Sequence, residues 1–117
     1  MSGGLTTHVL DTAHGRPAAG MNLELFFLEG EERRSIKTLA TNAEGRTDGP
    51  LLSPEELTAG LYELVFDVAG YFAGEEGLPD PPFLGRVPVR FGISDPGSHY
   101  HVPLLVSPWS YSTYRGS

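Results

Sequence analysis

Apolar and polar positions alternate with period two in one short stretch after another along this chain, and turn-forming residues separate the stretches. Leu5, Thr7 and Val9 alternate with Thr6, His8 and Leu10, so Leu5 to Asp11 reads as a first strand, and Ala13-His14-Gly15-Arg16-Pro17 then turns the chain. Met21 to Leu28 and Ser35 to Ala40 flank the charged Gly30-Glu31-Glu32-Arg33-Arg34 stretch, the spacing of a hairpin with a polar tip. Thr41 to Gly45 is a further turn, which delivers Arg46 and Thr47 into a short extended piece. Leu61 to Val68 is the clearest interior strand, and Val87 to Ile93 is another, with Pro88 best suited to a sheet edge.

Two places favour a helical turn instead. Ser53-Pro54-Glu55-Glu56 has a cap residue, proline at the first helical position and a glutamate three residues after the cap. The stretch from Ala69 to Gly77 suits a second turn around Tyr71 and Phe72, whereas Leu78-Pro79-Asp80-Pro81-Pro82 lacks the amide donors that a sheet needs. The last nineteen residues return to period two: Tyr100, Val102, Leu104 and Val106 alternate with His99, His101, Pro103 and Leu105. A Ser107-Pro108 corner follows, and then a strand from Trp109 to Tyr114. Seven or eight short strands with at most one or two helical turns predict the all-β class, an antiparallel β-sandwich forming a single domain over residues 1–117.

Composition narrows the function. The chain contains no cysteine, which excludes disulfides and thiolate chemistry, and its net charge of −7 argues against a nucleic-acid partner. No apolar run reaches the roughly 18–20 residues of a membrane span. The first residues lack the basic and apolar regions of a signal peptide, so the expected location is the cytoplasm.

Chemistry concentrates on one face. His8 shares a strand side with Thr6 and Leu10, His101 with His99, Pro103 and Leu105, and Ser112 with Tyr114. If these strands lie in one sheet, His8, His101, Ser112 and Tyr114 project outward together. A face that also carries Leu10, Pro103 and Leu105 is poorly solvated in a monomer, which favours cover by a second subunit. A neutral imidazole is a natural base for taking a proton from water near neutral pH, and a fixed cation stabilises an anion developing at an attacked carbonyl. Arg46, placed by the Gly45 turn, is the first choice of cation and Arg115 the second.

The motifs T-T-H-V-L-D-T-A-H-G-R-P-A, H-Y-H-V-P-L-L and S-P-W-S-Y-S-T-Y-R-G-S, which together span nearly the whole chain, resemble the transthyretin-related 5-hydroxyisourate hydrolase family. The resemblance implies a transthyretin-like sandwich assembled as a dimer of dimers, a homotetramer with sites in a channel between subunits. It implies metal-free hydrolysis of 5-hydroxyisourate to 2-oxo-4-hydroxy-4-carboxy-5-ureidoimidazoline in urate degradation, with no cofactor. Carried over by motif, the catalytic set is His8, Arg46 and His101, and Ser112, Tyr114, Arg115, Gly116 and Ser117 bind substrate; which histidine acts as base is left open.

Other readings compete. The same fold serves transthyretin as a carrier of an aromatic hormone, but channel positions holding two histidines and an arginine are equipped for proton transfer. His99 and His101 have a spacing that also suits zinc, yet no cysteine or obvious third acidic ligand accompanies them. Taken singly, His99 reads as a rim residue, His14 as a turn residue, and Arg33, Arg34 and Lys37 as a solvated hairpin edge. Tyr62, Phe66, Phe91, Tyr100 and Tyr111 read as core aromatics, and Trp109 as a packing residue near the corner.

Overall fold

A computed structural model describes residues 3–116. The alternating stretches become eight strands and one short helix: β1 (Gly4–Asp11), β2 (Arg16–Pro17), β3 (Asn22–Glu29), β4 (Glu32–Ala40), β5 (Gly60–Asp67), α1 (Val68–Phe72), β6 (Arg86–Ile93), β7 (His99–Val106) and β8 (Tyr111–Thr113). They form two four-stranded sheets, ordered β2-β1-β7-β8 and β4-β3-β5-β6. Inward-facing Leu5, Val9, Tyr100, Val102, Leu104 and Val106 of the first sheet join Leu23, Leu25, Tyr62, Leu64, Phe66 and Val87 of the second in one buried core. This is the expected all-β sandwich, and the apolar side of each alternating strand is the buried side.

The pairing differs from expectation at one decisive place. β1 and β7 run parallel over eight residue pairs, from Gly4 opposite His99 to Asp11 opposite Val106. A parallel pair needs a long connection between its strands, and here the rest of the sandwich supplies it. Thr6 therefore lies opposite His101, and His8 opposite Pro103.

Local departures have local causes. The β3–β4 tip shrinks to Gly30 and Glu31 because Arg33 is drawn into the sheet: its guanidinium lies 4.0 Å from the Phe26 ring centroid and donates to the buried Glu63 carboxylate at 2.9 Å. At Ser53 the capping contacts form, with Glu56 N–H donating to Ser53 Oγ at 3.3 Å and Ser53 N–H to Glu56 Oε1 at 2.8 Å, but the segment stops at a turn and builds no helix. Pro88 lies on the edge strand β6. β8 is a three-residue edge, shorter than the pattern predicts, so Tyr111 and Trp109 are exposed and do not join the core. Among the described residues, no helix is long and apolar enough to cross a membrane.

Candidate active site

The site is built on the outward face of the β2-β1-β7-β8 sheet, where the parallel register sets Thr6 beside His101 and leaves His8 one position further along. Thr6, His8, Leu10, His99, His101 and Leu105 are all half-buried there. Ser112 pairs with Leu105 at the β8 edge and is exposed.

Arg46 reaches this face through a small, tightly tied loop. Asn42 Oδ1 accepts from the amides of Glu44 (2.9 Å) and Arg46 (3.1 Å), and Asn42 N–H donates to the Arg46 carbonyl at 2.7 Å. The loop then docks on β1: Val9 N–H donates to the Gly45 carbonyl at 2.8 Å, and His8 Nε2–H donates to the Glu44 carbonyl at 3.0 Å. A carbonyl only accepts, so Nε2 of His8 holds the proton and Nδ1 of the neutral ring carries the free lone pair. Gly45 has φ +77°, and a Cβ there would collide with the Val9 carbonyl oxygen. Gly45→Ala is therefore expected to cost at least about 1–2 kcal/mol from the left-handed backbone alone and to lift Arg46 off the sheet. A lower urea midpoint together with a raised KM checks both; a variant as stable as the wild type would show that the loop is not held this way.

His101 is held from two sides. Its Nδ1 lies 2.8 Å from Thr6 Oγ1, and its carbonyl accepts from Gly116 N–H at 2.8 Å. Gly116 packs so closely that a Cβ there would lie 2.6 Å from the His101 ring carbon Cδ2. Burial, reinforced by the positive charge of Arg46 and by the neighbouring His8 and His99, lowers the His101 pKa below its ordinary value, so the ring stays neutral to lower pH than a solvated histidine.

Not all of the expected residues converge. The sheet brings His8 and His101 together, the Gly45 loop adds Arg46, and Gly116 closes against the His101 ring. Arg115 turns away, with its Nη2 donating to the His99 carbonyl at 3.3 Å and its guanidinium 4.2 Å from the ring centroid of inward-facing Tyr100. With Tyr114 it lines a cleft of about 290 Å³ that also includes Arg90, Phe91 and Ser94, near the β6 edge of the second sheet. Ser117 lies outside the described residues. Thr6 and His99 were not expected to take part; the signal was their shared face with His8 and His101, which acquires meaning only once the two strands are adjacent. Among the described residues no group of three or more His, Cys, Asp or Glu side chains is arranged to hold a metal ion.

Comparison with known proteins places the chain in a family. The model of the HIUase/Transthyretin family matches residues 5–116. 5-Hydroxyisourate hydrolase 2 of Rhizobium meliloti (strain 1021) is 60% identical over 99% of this chain and 98% of its own. The crystal structure of (S)-allantoin synthase superposes with a TM-score of 0.89 at 48% identity over 99% of this chain, which spans 44% of that longer protein. The structure of Klebsiella pneumoniae 5-hydroxyisourate hydrolase superposes with a TM-score of 0.77 at 37% identity, covering 97% of this chain and 98% of that one. A sandwich whose outer sheet face carries His8 and His101, matched along nearly its whole length in sequence and in structure, belongs to the HIUase/Transthyretin family.

Proposed function

We propose that this protein hydrolyses 5-hydroxyisourate to 2-oxo-4-hydroxy-4-carboxy-5-ureidoimidazoline in urate degradation, on the outer face of the β2-β1-β7-β8 sheet. One observation carries the reading. Two imidazoles on neighbouring strands, each tied by one ring nitrogen to a fixed partner, stand on a half-buried face, and the charge of the exposed Arg46 acts on His101. Water attacks the ring carbonyl carbon, a C–O bond forms, and the amide C–N bond breaks to give the carboxylate. The imidazole pair takes the proton from water and returns it to the departing nitrogen. Arg46 holds the substrate oxygens and stabilises the negative charge that gathers on the attacked carbonyl, while the Gly116 segment closes the pocket.

Leu10, Leu105 and the histidines are too apolar a set to leave facing water, which supports cover by a second subunit in a homotetramer, a dimer of dimers. The cytoplasm is the proposed location. The alternative, a small-molecule carrier in the manner of transthyretin, has no use for two tethered imidazoles beside an arginine.

The test is the ultraviolet absorbance of 5-hydroxyisourate freshly generated by a urate oxidase, followed with and without the protein and with a version ending at Tyr114. Loss of absorbance is expected to accelerate with the full chain and to return to the spontaneous rate with the shortened one. A folded sample, tetrameric by sedimentation, that gave no acceleration would overturn the hydrolase reading in favour of the carrier.

A further inference from the structure

A chain of four polar groups runs behind the His101 ring. His99 Nδ1 lies 3.2 Å from the Gly3 carbonyl, His99 Nε2 lies 3.3 Å from Thr6 Oγ1, and Thr6 Oγ1 lies 2.8 Å from His101 Nδ1. Its ends settle its direction. The Gly3 carbonyl can only accept, so the neutral His99 ring carries its proton on Nδ1 and offers a lone pair at Nε2. A hydroxyl has one proton, and that of Thr6 goes to His99 Nε2, the one partner there that cannot donate. Thr6 Oγ1 must then accept from His101, which places the His101 proton on Nδ1 and leaves the lone pair on Nε2.

We propose that Thr6 and His99 are positioning residues that hold His101 in its Nδ1–H tautomer, so that Nε2 is the nitrogen that takes the proton from water. This rests on the hydrolase reading for its consequence, though not for the tautomer itself. Free imidazole side chains prefer the Nε2–H form, so without the relay much of the His101 population would present an N–H where the reaction needs a base. Gly116 lies against the Cδ2 edge of the ring, so close that a Cβ there would clash with it. The His8 ring is fixed in the opposite sense, Nε2–H to the Glu44 carbonyl. The two rings therefore present different nitrogens, Nε2 of His101 and Nδ1 of His8. Neither Thr6 nor His99 needs to touch substrate.

Nitrogen-15 NMR of the histidine side chains reads the tautomer without any substrate, on the full-length protein, with His101 assigned by its loss in His101→Asn. His101 is expected to show a protonated Nδ1 and a pyridine-like Nε2 at neutral pH. Thr6→Val keeps the size and the strand preference of threonine but removes the hydroxyl. It is expected to shift His101 toward the Nε2–H form and to lower kcat on the order of 10-fold or more, part of the roughly 10²–10⁴ that a positioned base contributes. KM should change little, and Thr6→Ser should restore both readouts. Wild-type His101 protonated on Nε2 overturns the proposal, as does a Thr6→Val protein that keeps both the Nδ1–H tautomer and wild-type kcat. An Nδ1–H ring in a protein that fails to hydrolyse 5-hydroxyisourate supports the relay and removes the reaction assigned to it.

Discussion

Replacing His101 with asparagine is expected to lower kcat/KM for 5-hydroxyisourate by about 10²–10⁴, the range a positioned general base contributes, while leaving the fold in place. Asparagine is the stringent choice. Its amide nitrogen sits close to where Nδ1 was and can still donate to Thr6, so the surroundings are kept and only the titrating nitrogen is lost. His8→Asn should also be strongly impaired, since both rings share the proton transfer. Wild-type turnover in both variants would sink the assignment.

The pH profile tests the same group independently. In the proposed mechanism activity needs neutral His101 and falls as acid protonates it. Because burial, Arg46, His8 and His99 hold its pKa down, the acid limb of kcat/KM should lie below the ordinary histidine value of about 6.5. Arg46→Gln removes a positive charge that disfavours the imidazolium, so the limb should move to higher pH, whatever the variant loses in rate. A limb that stays fixed would mean that Arg46 does not face this ring.

Asp11→Ala is expected to cost about 1–3 kcal/mol, the loss typical when hydrogen-bond donors lose their shared acceptor. Asp11 is 1% exposed. Its Oδ1 accepts from His14 N–H at 3.0 Å, and its Oδ2 accepts from His14 Nδ1–H and from the Tyr71 hydroxyl, both at 2.7 Å. His14 Nε2 completes the chain to Glu75 Oε1 at 2.8 Å. The carboxylate thus ties the end of β1 to the turn before β2, and through Tyr71 and Glu75 to α1 and the segment after it. Truncation frees all three donors together. For a domain of this size the loss corresponds to a fall in Tm on the order of 10 °C, readable by calorimetry or urea titration.

The sign of the pH effect follows from the carboxyl. Burial acts to raise its pKa, but the hydrogen bonds from His14 and Tyr71 and the charge of His14 outweigh it, and the pKa is lowered. The stabilisation is therefore complete above the unfolded value of about 3.9 and is lost as pH falls through the lower folded value. The gap between Asp11→Ala and wild type should narrow in acid and persist at neutral pH. A variant as stable as the parent at pH 7 would show that these contacts contribute nothing net.

Particular residues show how far the chain could be read unaided. His8 and His101 were legible because an imidazole on an otherwise apolar strand face stands out against period-two alternation, and the Y-R-G-S motif marked the C-terminal segment. Arg46 was legible through Gly45, since a glycine turn before an arginine announces a placed cation. His99 reads as a rim residue, yet its ring lies within hydrogen-bonding distance of both the Thr6 hydroxyl and the Gly3 carbonyl. Arg115 was read as a second cation for the site, yet its side chain lies over Tyr100 because the strand pleat sends it to the other face from Gly116. Tyr111 reads as a core aromatic and Trp109 as a packing residue near the corner, and both are exposed beside the three-residue β8.

Alternation is a local property, so the residues alone determined which side of each strand is buried, where the chain turns, and that the fold is an all-β sandwich with histidines on an outer face. Partner and register are not local. Every ladder offers the same amide and carbonyl groups, so nothing in the period of β1 says that its neighbour lies more than ninety residues away, runs parallel, and meets it with Thr6 opposite His101. Burial of the whole core decides that choice. With it the tertiary structure decided that His101 Nδ1 faces the Thr6 hydroxyl, where Arg115 goes, and that Asp11, His14, Tyr71 and Glu75 form one chain of contacts.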